Sequence, residues 1–282
     1  MKKTQWVALT GIAVIILMTG GCRWGNVSLT LLQTSDVHNH ASGYGPFMDY
    51  TPLDTKDRDS VKGGYARLAS LIKTIRNEQA ARCIPTLVFD SGDFTMGTVY
   101  DMSIGDPIAL RYFSQVQYDA VTLGNHEFDW SPAGLAKILY NGYLGGFRVP
   151  VIATNAVIPV GNPLEALKSA GVIVDKKVIE YPYGLKVGII GLMGKDAGFK
   201  APVATPVSFN YDYGFIQQQV DDLRNNQHVQ LVIALSHGGV DSTGKGDDAD
   251  LAKNVQGIDI IASGHFHAAT GAAMVAGDSG TI

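Results

Sequence analysis

Apolar and polar positions alternate along the chain between strand-like and helix-like segments. Short apolar runs predict strands at residues 27–33, 86–89, 120–123, 151–153, 230–235 and 258–262. Apolar residues at helical spacing predict helices at residues 64–77, 107–115 and 213–225, and Ser131-Pro132 is typical of a further helix start. Residues 172–181 and 185–191 predict a β-hairpin. Strands that alternate with helices indicate an α/β fold of layered sheets and helices.

Five of the predicted strands end in a polar cluster of Asp, Asn or His with Gly or Ser beside it. Ligands of open α/β sheets bind beyond the carboxyl ends of the strands, so we expect these clusters to converge at one edge. Carboxylate, imidazole and amide groups without thiolates suit Mn, Zn, Fe or Co better than Ca. The clusters offer too many ligands for one ion. Two metal ions that share a carboxylate are therefore predicted, an arrangement commonly used to hydrolyse phosphate esters.

Composition narrows the class of protein. With 282 residues, 46% of them hydrophobic and 17% charged, the chain can bury a sizeable core. The formal net charge is −4, and no basic run follows the first few residues, which argues against binding to a nucleic-acid polymer. Two cysteines exclude a disulfide framework and a four-thiolate zinc site.

The amino terminus predicts an export signal over residues 1–22. Lys2 and Lys3 precede an apolar run at residues 6–18, and small residues follow before Cys22. This pattern resembles the lipobox of bacterial lipoproteins, which implies lipidation of Cys22, although Thr19 stands where that motif usually has Leu. An uncleaved membrane anchor or a cleaved soluble form are the alternatives. Each alternative places the remaining chain outside the cytoplasm, in the periplasm or at the cell surface.

Five short motifs occur in a fixed order along the chain. They are Asp36-Val37-His38, Gly92-Asp93, Gly124-Asn125-His126-Glu127-Phe128-Asp129, Ser236-His237 and Gly264-His265-Phe266-His267. Their order resembles the calcineurin-like metallophosphoesterases and, within them, the 5′-nucleotidase branch. The resemblance implies a catalytic domain over residues 27–282, built as a layered β-sandwich flanked by helices. Its dimetal site would lie at the C-terminal ends of the strands.

The resemblance also implies a role for each motif residue around two divalent metal ions (Mn, Zn, Co or Fe). One ion would be held by Asp36, His38 and His267. The other ion would be held by Asn125, His237 and His265. Asp93 would bridge both ions. Some members have Gln at the position of His267, and either side chain can donate a neutral lone pair, so metal preference is expected to differ.

The resemblance assigns His126 and Asp129 to catalysis. His126 would stabilise charge on the phosphate in the transition state or protonate the leaving oxygen. Asp129 would orient its ring. A metal-bound hydroxide would attack phosphorus opposite the leaving group.

Each of these residues taken alone has a structural explanation. A strand-end aspartate such as Asp36 often caps a turn, Asn beside Gly is common in turns, and a buried histidine is often simply hydrogen-bonded. We favour the metal site because five separate strand ends carry such residues together. His40 is interpreted as a polar neighbour of the site, Asp90 as structural and His228 as a surface residue.

The predicted function is that of an exported phosphoesterase acting on nucleotides or related phosphate monoesters. Three other activities stay open: a cyclic-nucleotide phosphodiesterase, a nucleotide-sugar hydrolase, and a hydrolase of non-phosphate oxyanion esters. An inactive metal-binding surface remnant of a longer enzyme is a further alternative. Extracellular 5′-nucleotidases carry a second domain that grips the nucleoside, whereas this sequence stops at Ile282. We therefore expect an incomplete C-terminal end and assign no substrate-binding residue.

Overall fold

The computed structural model describes residues 13–17, 28–45, 61–181, 184–268 and 274. The strands are β1 (Ala13–Leu17), β2 (Leu29–Thr34), β3 (Thr86–Asp90), β4 (Ala120–Thr122), β5 (Val151–Ile152), β6 (Ala156–Val157), β7 (Ile173–Val174), β8 (Lys176–Glu180), β9 (Lys186–Met193), β10 (Ser208–Phe209), β11 (Leu231–His237) and β12 (Ile260–Ser263). The α-helices are α1 (Tyr65–Ala80), α2 (Ile108–Val116), α3 (Ser131–Leu144), α4 (Pro163–Ser169), α5 (Lys195–Phe199), α6 (Tyr213–Asp221) and α7 (Asp247–Asn254). These elements follow the alternation of strand and helix that the sequence predicts.

The strands form two main sheets. The first has the order β1-β2-β3-β4-β5-β7, and the second has the order β12-β11-β9-β8. Neighbouring strands from β2 to β7 are parallel, as are β9, β11 and β12, while β1 and β8 run antiparallel to their neighbours. The strands β6 and β10 form a separate two-stranded ribbon. In each sheet, several strands therefore end at a common edge.

The two sheets pack face to face with helices outside them. Between the sheets, Leu31 and Phe89 of the first meet Ile189 and Leu235 of the second, all fully buried or nearly so. On the outer face of the first sheet, a cluster includes residues of α1 to α4, and on the outer face of the second sheet another includes residues of α6 and α7. This arrangement confirms the predicted layered β-sandwich flanked by helices.

Most predicted elements lie within three residues of the observed ones, but two predictions were incomplete and several short elements were not predicted. The predicted hairpin is formed by β8 and β9 alone, because Ile173–Val174 pairs with β5 in the other sheet. The helix predicted at 213–225 ends as an α-helix at Asp221, and a wider π-type turn covers Asp222–Asn226. The elements that were not predicted include α4, α5, α7, β6 and β10, all of them short. In α7, three of the first four residues are acidic, which hides its apolar pattern.

The predicted export signal contains β1, whose main chain pairs antiparallel with β2. Cys22, the predicted lipidation site, lies outside the described residues. Among the described residues, no helix is long and apolar enough to cross a membrane. The signal and its lipidation stay predictions.

Candidate dimetal site

The motif residues lie at the carboxyl ends of five strands, as the topology requires. Asp36 and His38 follow β2, Asp93 follows β3, Asn125 and His126 follow β4, His237 ends β11, and His265 and His267 follow β12. Main-chain bonds join the first two loops, since the amides of Asp36 and His38 donate to the carbonyls of Gly92 and Asp93 at 2.9 and 3.0 Å. The fold thus brings together residues from both ends of the sequence.

Five of the seven predicted ligands have a left-handed backbone. The φ angles are 53° at Asp36, 43° at His38, 55° at Asp93, 79° at His265 and 50° at His267. Such a conformation costs a non-glycine residue about 1–2 kcal/mol, and it concentrates at functional sites where the surrounding structure enforces it. The strained turns aim these side chains into a shared space, which regular strand extensions would not do.

We call Asp36, His38 and His267 the outer group. One ligand atom from each of the three lies within 4.8 Å of the others, and Nε2 of His267 is 3.2 Å from Oδ1 of Asp36. Nδ1 of His38 lies 2.8 Å from the carbonyl oxygen of Met96. Because a carbonyl only accepts, this nitrogen carries the proton, and Nε2 of His38 keeps a lone pair for a metal.

Charge within the outer group is complementary. The hydrogen bond to Asp36 raises the pKa of His267 above its ordinary value. Burial would raise the pKa of Asp36, but the bond to His267 and the nearby His237 outweigh burial and lower it. A carboxylate among imidazoles in this group is a donor set that suits a transition-metal ion.

We call Asp93, Asn125, His237 and His265 the inner group. Ligand atoms of Asp93, His237 and His265 lie within 4.8 Å of one another. Nδ1 of His237 lies 2.7 Å from the carbonyl oxygen of Ser91, so in the neutral ring Nε2 keeps the lone pair for a metal. That Nε2 is 3.0 Å from Oδ2 of Asp93 but lacks the alignment of a hydrogen bond. Oδ1 of Asn125 is likewise buried without a hydrogen-bond partner.

These two orphaned atoms test whether the inner group fits a cation. A buried polar atom without a partner costs about 1–3 kcal/mol, and the costs here fall on an amide oxygen and an imidazole nitrogen, both good metal ligands. Burial would lower the pKa of His237, yet the Asp93 carboxylate raises it to about 9. Without a metal ion, this pKa places a proton on Nε2 of His237 facing Asp93. A divalent ion would take the place of that proton, and the donor set of the inner group fits one.

Gly124 keeps space open beside the inner group. A Cβ atom at this position would lie 2.2 Å from Oδ1 of Asp93 and 2.7 Å from Nε2 of His237. Both distances are shorter than nonbonded contact allows, so only glycine lets the β4 loop approach the carboxylate and the imidazole. This requirement explains why glycine precedes Asn125.

His126 and Asp129 form a pair at the border between the two groups. Nδ1 of His126 is 2.6 Å from Oδ2 of Asp129, and the rings of His126 and His38 are 5.1 Å apart. Burial would lower the pKa of His126, but the bond to Asp129 outweighs it and raises the pKa. One ring nitrogen of His126 also lies within 4.8 Å of potential ligand atoms of His38 and Asp93. The family resemblance nevertheless gives His126 a catalytic role and not that of a metal ligand.

Two buried carboxylates that hold the loops were not assigned a role from the sequence. Glu127 accepts hydrogen bonds from the amides of Asp93, Gly124 and Thr95 and from the Thr95 hydroxyl, which fastens the β3 loop to the β4 loop. Burial and the charge of Asp93 raise its pKa to about 7. In the sequence, the position of Glu127 inside the motif Gly124–Asp129 could have indicated this role.

Asp248 of α7 holds the loops at the ends of the second sheet, as Glu127 holds those of the first. It is 4% exposed and accepts from the hydroxyls of Ser236 and Ser263 and from the amide of Gly239 at 2.9 Å. These bonds join the end of β11 to the end of β12. No sequence signal identified it, because the helix that carries it was not predicted.

The other polar residues interpreted from the sequence are not members of either ligand group. Asp90 is fully buried and accepts from the Thr34 hydroxyl at 2.6 Å and the Gly92 amide at 3.0 Å, a structural arrangement. The ring of His40 packs edge-on against that of Tyr44, 5.5 Å away. His228 is exposed.

The comparisons with known proteins agree with this fold and site. The profile of the family described as calcineurin-like phosphoesterase matches residues 29–269. Mouse 5′-nucleotidase is 30% identical over 274 residues, which cover 94% of this chain and 42% of that protein. A probable 5′-nucleotidase of Treponema pallidum is 28% identical, with 91% of this chain and 40% of that protein covered.

A solved structure shows the same relation. The 5′-nucleotidase precursor from Thermus thermophilus superposes with a TM-score of 0.65 at 28% identity, over 84% of this chain and 41% of that one. The chain spans about two fifths of the length of these relatives. The resemblance inferred from the motifs is confirmed, and the chain belongs to the calcineurin-like phosphoesterase family.

Proposed function

We propose that the chain is an exported dimetal phosphoesterase that hydrolyses nucleotides or related phosphate monoesters. The observation that carries the proposal is the meeting of two ligand groups beside the pair His126 and Asp129. The family and the relatives named 5′-nucleotidase support a metal-dependent phosphoester hydrolase and a nucleotide substrate. Export is supported by the basic, apolar and small-residue pattern of residues 1–22.

In this proposal the outer group would hold one divalent ion and the inner group the other, with Asp93 as a ligand available to both. Two bound ions would supply Lewis acidity for the phosphate and activate the attacking water. The fit rests on the donor types and on the two orphaned buried atoms of the inner group.

His126 has the geometry of a group that can donate a proton to the leaving oxygen. Its Nδ1 is held by Asp129, so the ring presents Nε2 as the nitrogen that can carry or release a proton. The raised pKa of His126 keeps the charged form present to higher pH than for an ordinary histidine. Its amide donates to Oδ1 of Asp93 at 2.8 Å, which fixes the pair relative to the bridging carboxylate.

The open side of the site provides access for the substrate. The side chains of His267 and His126 are 60% and 41% exposed, whereas that of His237 is fully buried. A phosphate group therefore reaches the outer group and His126 directly from solvent. Its ester oxygen would lie toward His126.

The test is an assay of the chain against AMP, a cyclic nucleotide, a nucleotide sugar and nitrophenyl phosphate, with Mn, Zn, Co or no added metal. We expect metal-dependent hydrolysis of AMP. The variant His126→Ala should lower the rate by about 10²- to 10⁴-fold. The matched variant His228→Ala changes an exposed histidine outside every motif and should leave the rate unchanged.

The outcomes separate the alternatives. Preference for the cyclic nucleotide or the nucleotide sugar would replace the monoester proposal with the corresponding hydrolase. Two tightly bound ions without hydrolysis of any ester would contradict the enzyme and favour a metal-binding remnant. Failure of the folded protein to bind metal would overturn the dimetal site itself.

Export and lipidation are tested separately in a bacterial host. We expect the wild-type chain to incorporate labelled fatty acid and to fractionate with membranes outside the cytoplasm. Cys22→Ser should abolish the label, and Cys83→Ser should retain it. Label retained in Cys22→Ser would contradict lipidation at this residue.

A further inference from the structure

The end of β9 approaches the candidate site, although the sequence indicates no candidate residue there. β9 lies between β11 and β8 in the second sheet. The Gly194 amide donates to the carbonyl of His237 at 3.2 Å, and a Cβ on Gly194 would lie 2.2 Å from Cα of Gly238. The turn after β9 is therefore packed tightly against the turn that follows the inner ligand His237.

This packing brings Asp196 to His265. The Asp196 amide donates to Oδ2 of Asp247 at 2.9 Å, which fixes the start of α5. Its carboxylate oxygen lies 2.9 Å from Nε2 of His265 and 2.8 Å from Nζ of Lys200. Hydrogen bonds from Lys200 and His265 lower the pKa of Asp196, so the carboxylate is charged and accepts both bonds.

The contact selects the proton position on His265. A carboxylate accepts, so Nε2 of His265 carries the proton and Nδ1 keeps the lone pair. His38 and His237 show the opposite arrangement, because their Nδ1 atoms donate to the carbonyls of Met96 and Ser91. His265 is thus oriented by a charged side chain instead of a main-chain carbonyl.

We propose that Asp196 is a positioning residue that holds the His265 ring with Nδ1 available to the inner metal ion. The proposal rests on the dimetal site proposed above. A carboxylate on the far nitrogen of a ligating imidazole fixes the ring and increases its basicity, and loss of such a partner typically lowers metal affinity about 10- to 100-fold. The side chain of His265 is 6% exposed and that of Asp196 is 41% exposed, so Asp196 can be replaced without opening the core.

The experiment measures metal binding to the metal-stripped full chain by calorimetric titration with Mn²⁺. Asp196→Ala should weaken one of the two binding events about 10- to 100-fold and leave the other unchanged. Asp196→Asn keeps an oxygen that can accept a hydrogen bond from Nε2 of His265, so its Mn²⁺ affinity should fall less than that of Asp196→Ala. The thermal midpoint of the metal-free protein should change by no more than about 2 °C, as for an exposed substitution.

Two controls show whether Asp196 acts through His265. Asp175→Ala removes another half-exposed aspartate, 2.6 Å from Lys168, and should bind Mn²⁺ like wild type. In a double-mutant cycle, Asp196→Ala should add no further loss to His265→Ala, because the ring through which it acts is gone. In ¹⁵N-histidine spectra of the metal-free protein, Asp196→Ala should remove the preference of His265 for a proton on Nε2.

The outcomes distinguish this proposal from the one it rests on. Equal Mn²⁺ affinity of wild type and Asp196→Ala would overturn the positioning role and leave the dimetal site intact. If Asp196→Ala lowered Mn²⁺ affinity as much in His265→Ala as in wild type, the positioning role would also be contradicted, since the effect would not pass through the His265 ring. A wild-type chain that binds no Mn²⁺, Zn²⁺ or Co²⁺ would overturn the dimetal site.

Discussion

The inner and outer groups offer the same kinds of donor atom in different surroundings. In the inner group, Asp93, Asn125 and His237 are 1%, 3% and 0% exposed. In the outer group, the side chain of His267 is 60% exposed and contacts its neighbours mainly through ligand atoms. Burial removes water as a competing partner, so the inner atoms depend on a cation far more than the outer atoms do.

Because of this difference, we expect the inner and outer groups to have different roles within one site. Side chains of the protein itself hold the loops of the inner group, because Glu127 bonds the Asp93 loop and Asp248 bonds the loops of His237 and His265. The outer group faces solvent, from which the phosphate of the proposed substrate would arrive. We therefore expect the inner ion to bind more tightly and to stabilise the fold, and the outer ion to exchange more readily.

The largest effect is expected for Asp93→Asn, which acts on both groups at once. The Asn side chain keeps an acceptor for the His126 amide but removes the negative charge that would lie between the two ions. Several kcal/mol of metal-derived transition-state stabilisation would be lost, so hydrolysis should fall about a thousandfold or more. Asp106→Asn, an exposed aspartate paired with Arg111, is the control and should retain activity. Near-normal hydrolysis by Asp93→Asn would contradict a bridging role.

His126→Ala should separate chemistry from metal binding. We expect single-turnover hydrolysis to fall about 10²- to 10⁴-fold while calorimetry still finds two bound ions. Asp129→Asn should have a smaller effect, because it weakens the orientation of a ring that remains present. A loss of bound metal in His126→Ala would show that His126 acts as a ligand, as its closeness to His38 and Asp93 permits.

A paired substitution compares the two groups directly. His267→Ala should retain one tightly bound ion and its thermal stabilisation, about 2.7 kcal/mol when the free ion is at 100 times its Kd. His237→Ala should lose that stabilisation, because it removes a fully buried ligand. The measurement is the thermal midpoint during stepwise removal of metal by a chelator. If His267→Ala destabilised the metal-loaded protein more than His237→Ala, the proposed order of affinities would be reversed.

The smallest effect is expected for Glu127→Gln, which changes only the support of the inner group. Each oxygen of Glu127 accepts from at least two donors, so either orientation of the new amide directs its NH₂ group at hydrogen-bond donors. The free energy of unfolding should fall by about 1–3 kcal/mol in denaturant titrations. The matched variant Glu165→Gln alters an exposed acceptor for the Gly161 amide and should change it by no more than about 0.5 kcal/mol. If Glu127→Gln and Glu165→Gln had equal free energies of unfolding, Glu127 would not be a support of the inner group.

Much of the candidate site could be predicted because its signals are local in sequence. The five motifs name donor types whose chemistry is independent of the fold, and each follows an apolar run that predicts a strand. Glu127 lay inside a motif, but its four hydrogen bonds reach residues of two different loops. Periodicity cannot report such bonds.

Residues that act across the second sheet could not be predicted. Asp248 follows Ser236 by 12 residues and precedes Ser263 by 15, on a helix with a weak apolar pattern. Asp196 is 69 residues from His265. An aspartate followed four residues later by lysine is common on exposed helices, so nothing in the local pattern distinguished Asp196.

The donor atoms, the strand ends that carry them and the family can be inferred from the sequence alone, because apolar periodicity and short motifs are properties of neighbouring residues. The three-dimensional fold was needed to learn which ligands are buried, which buried polar atoms lack hydrogen-bond partners and which carboxylates hold the loops. These properties depend on strand order and on the packing of two sheets. The contact between Asp196 and His265 exists because β9 and β12 both run parallel to β11, which lies between them.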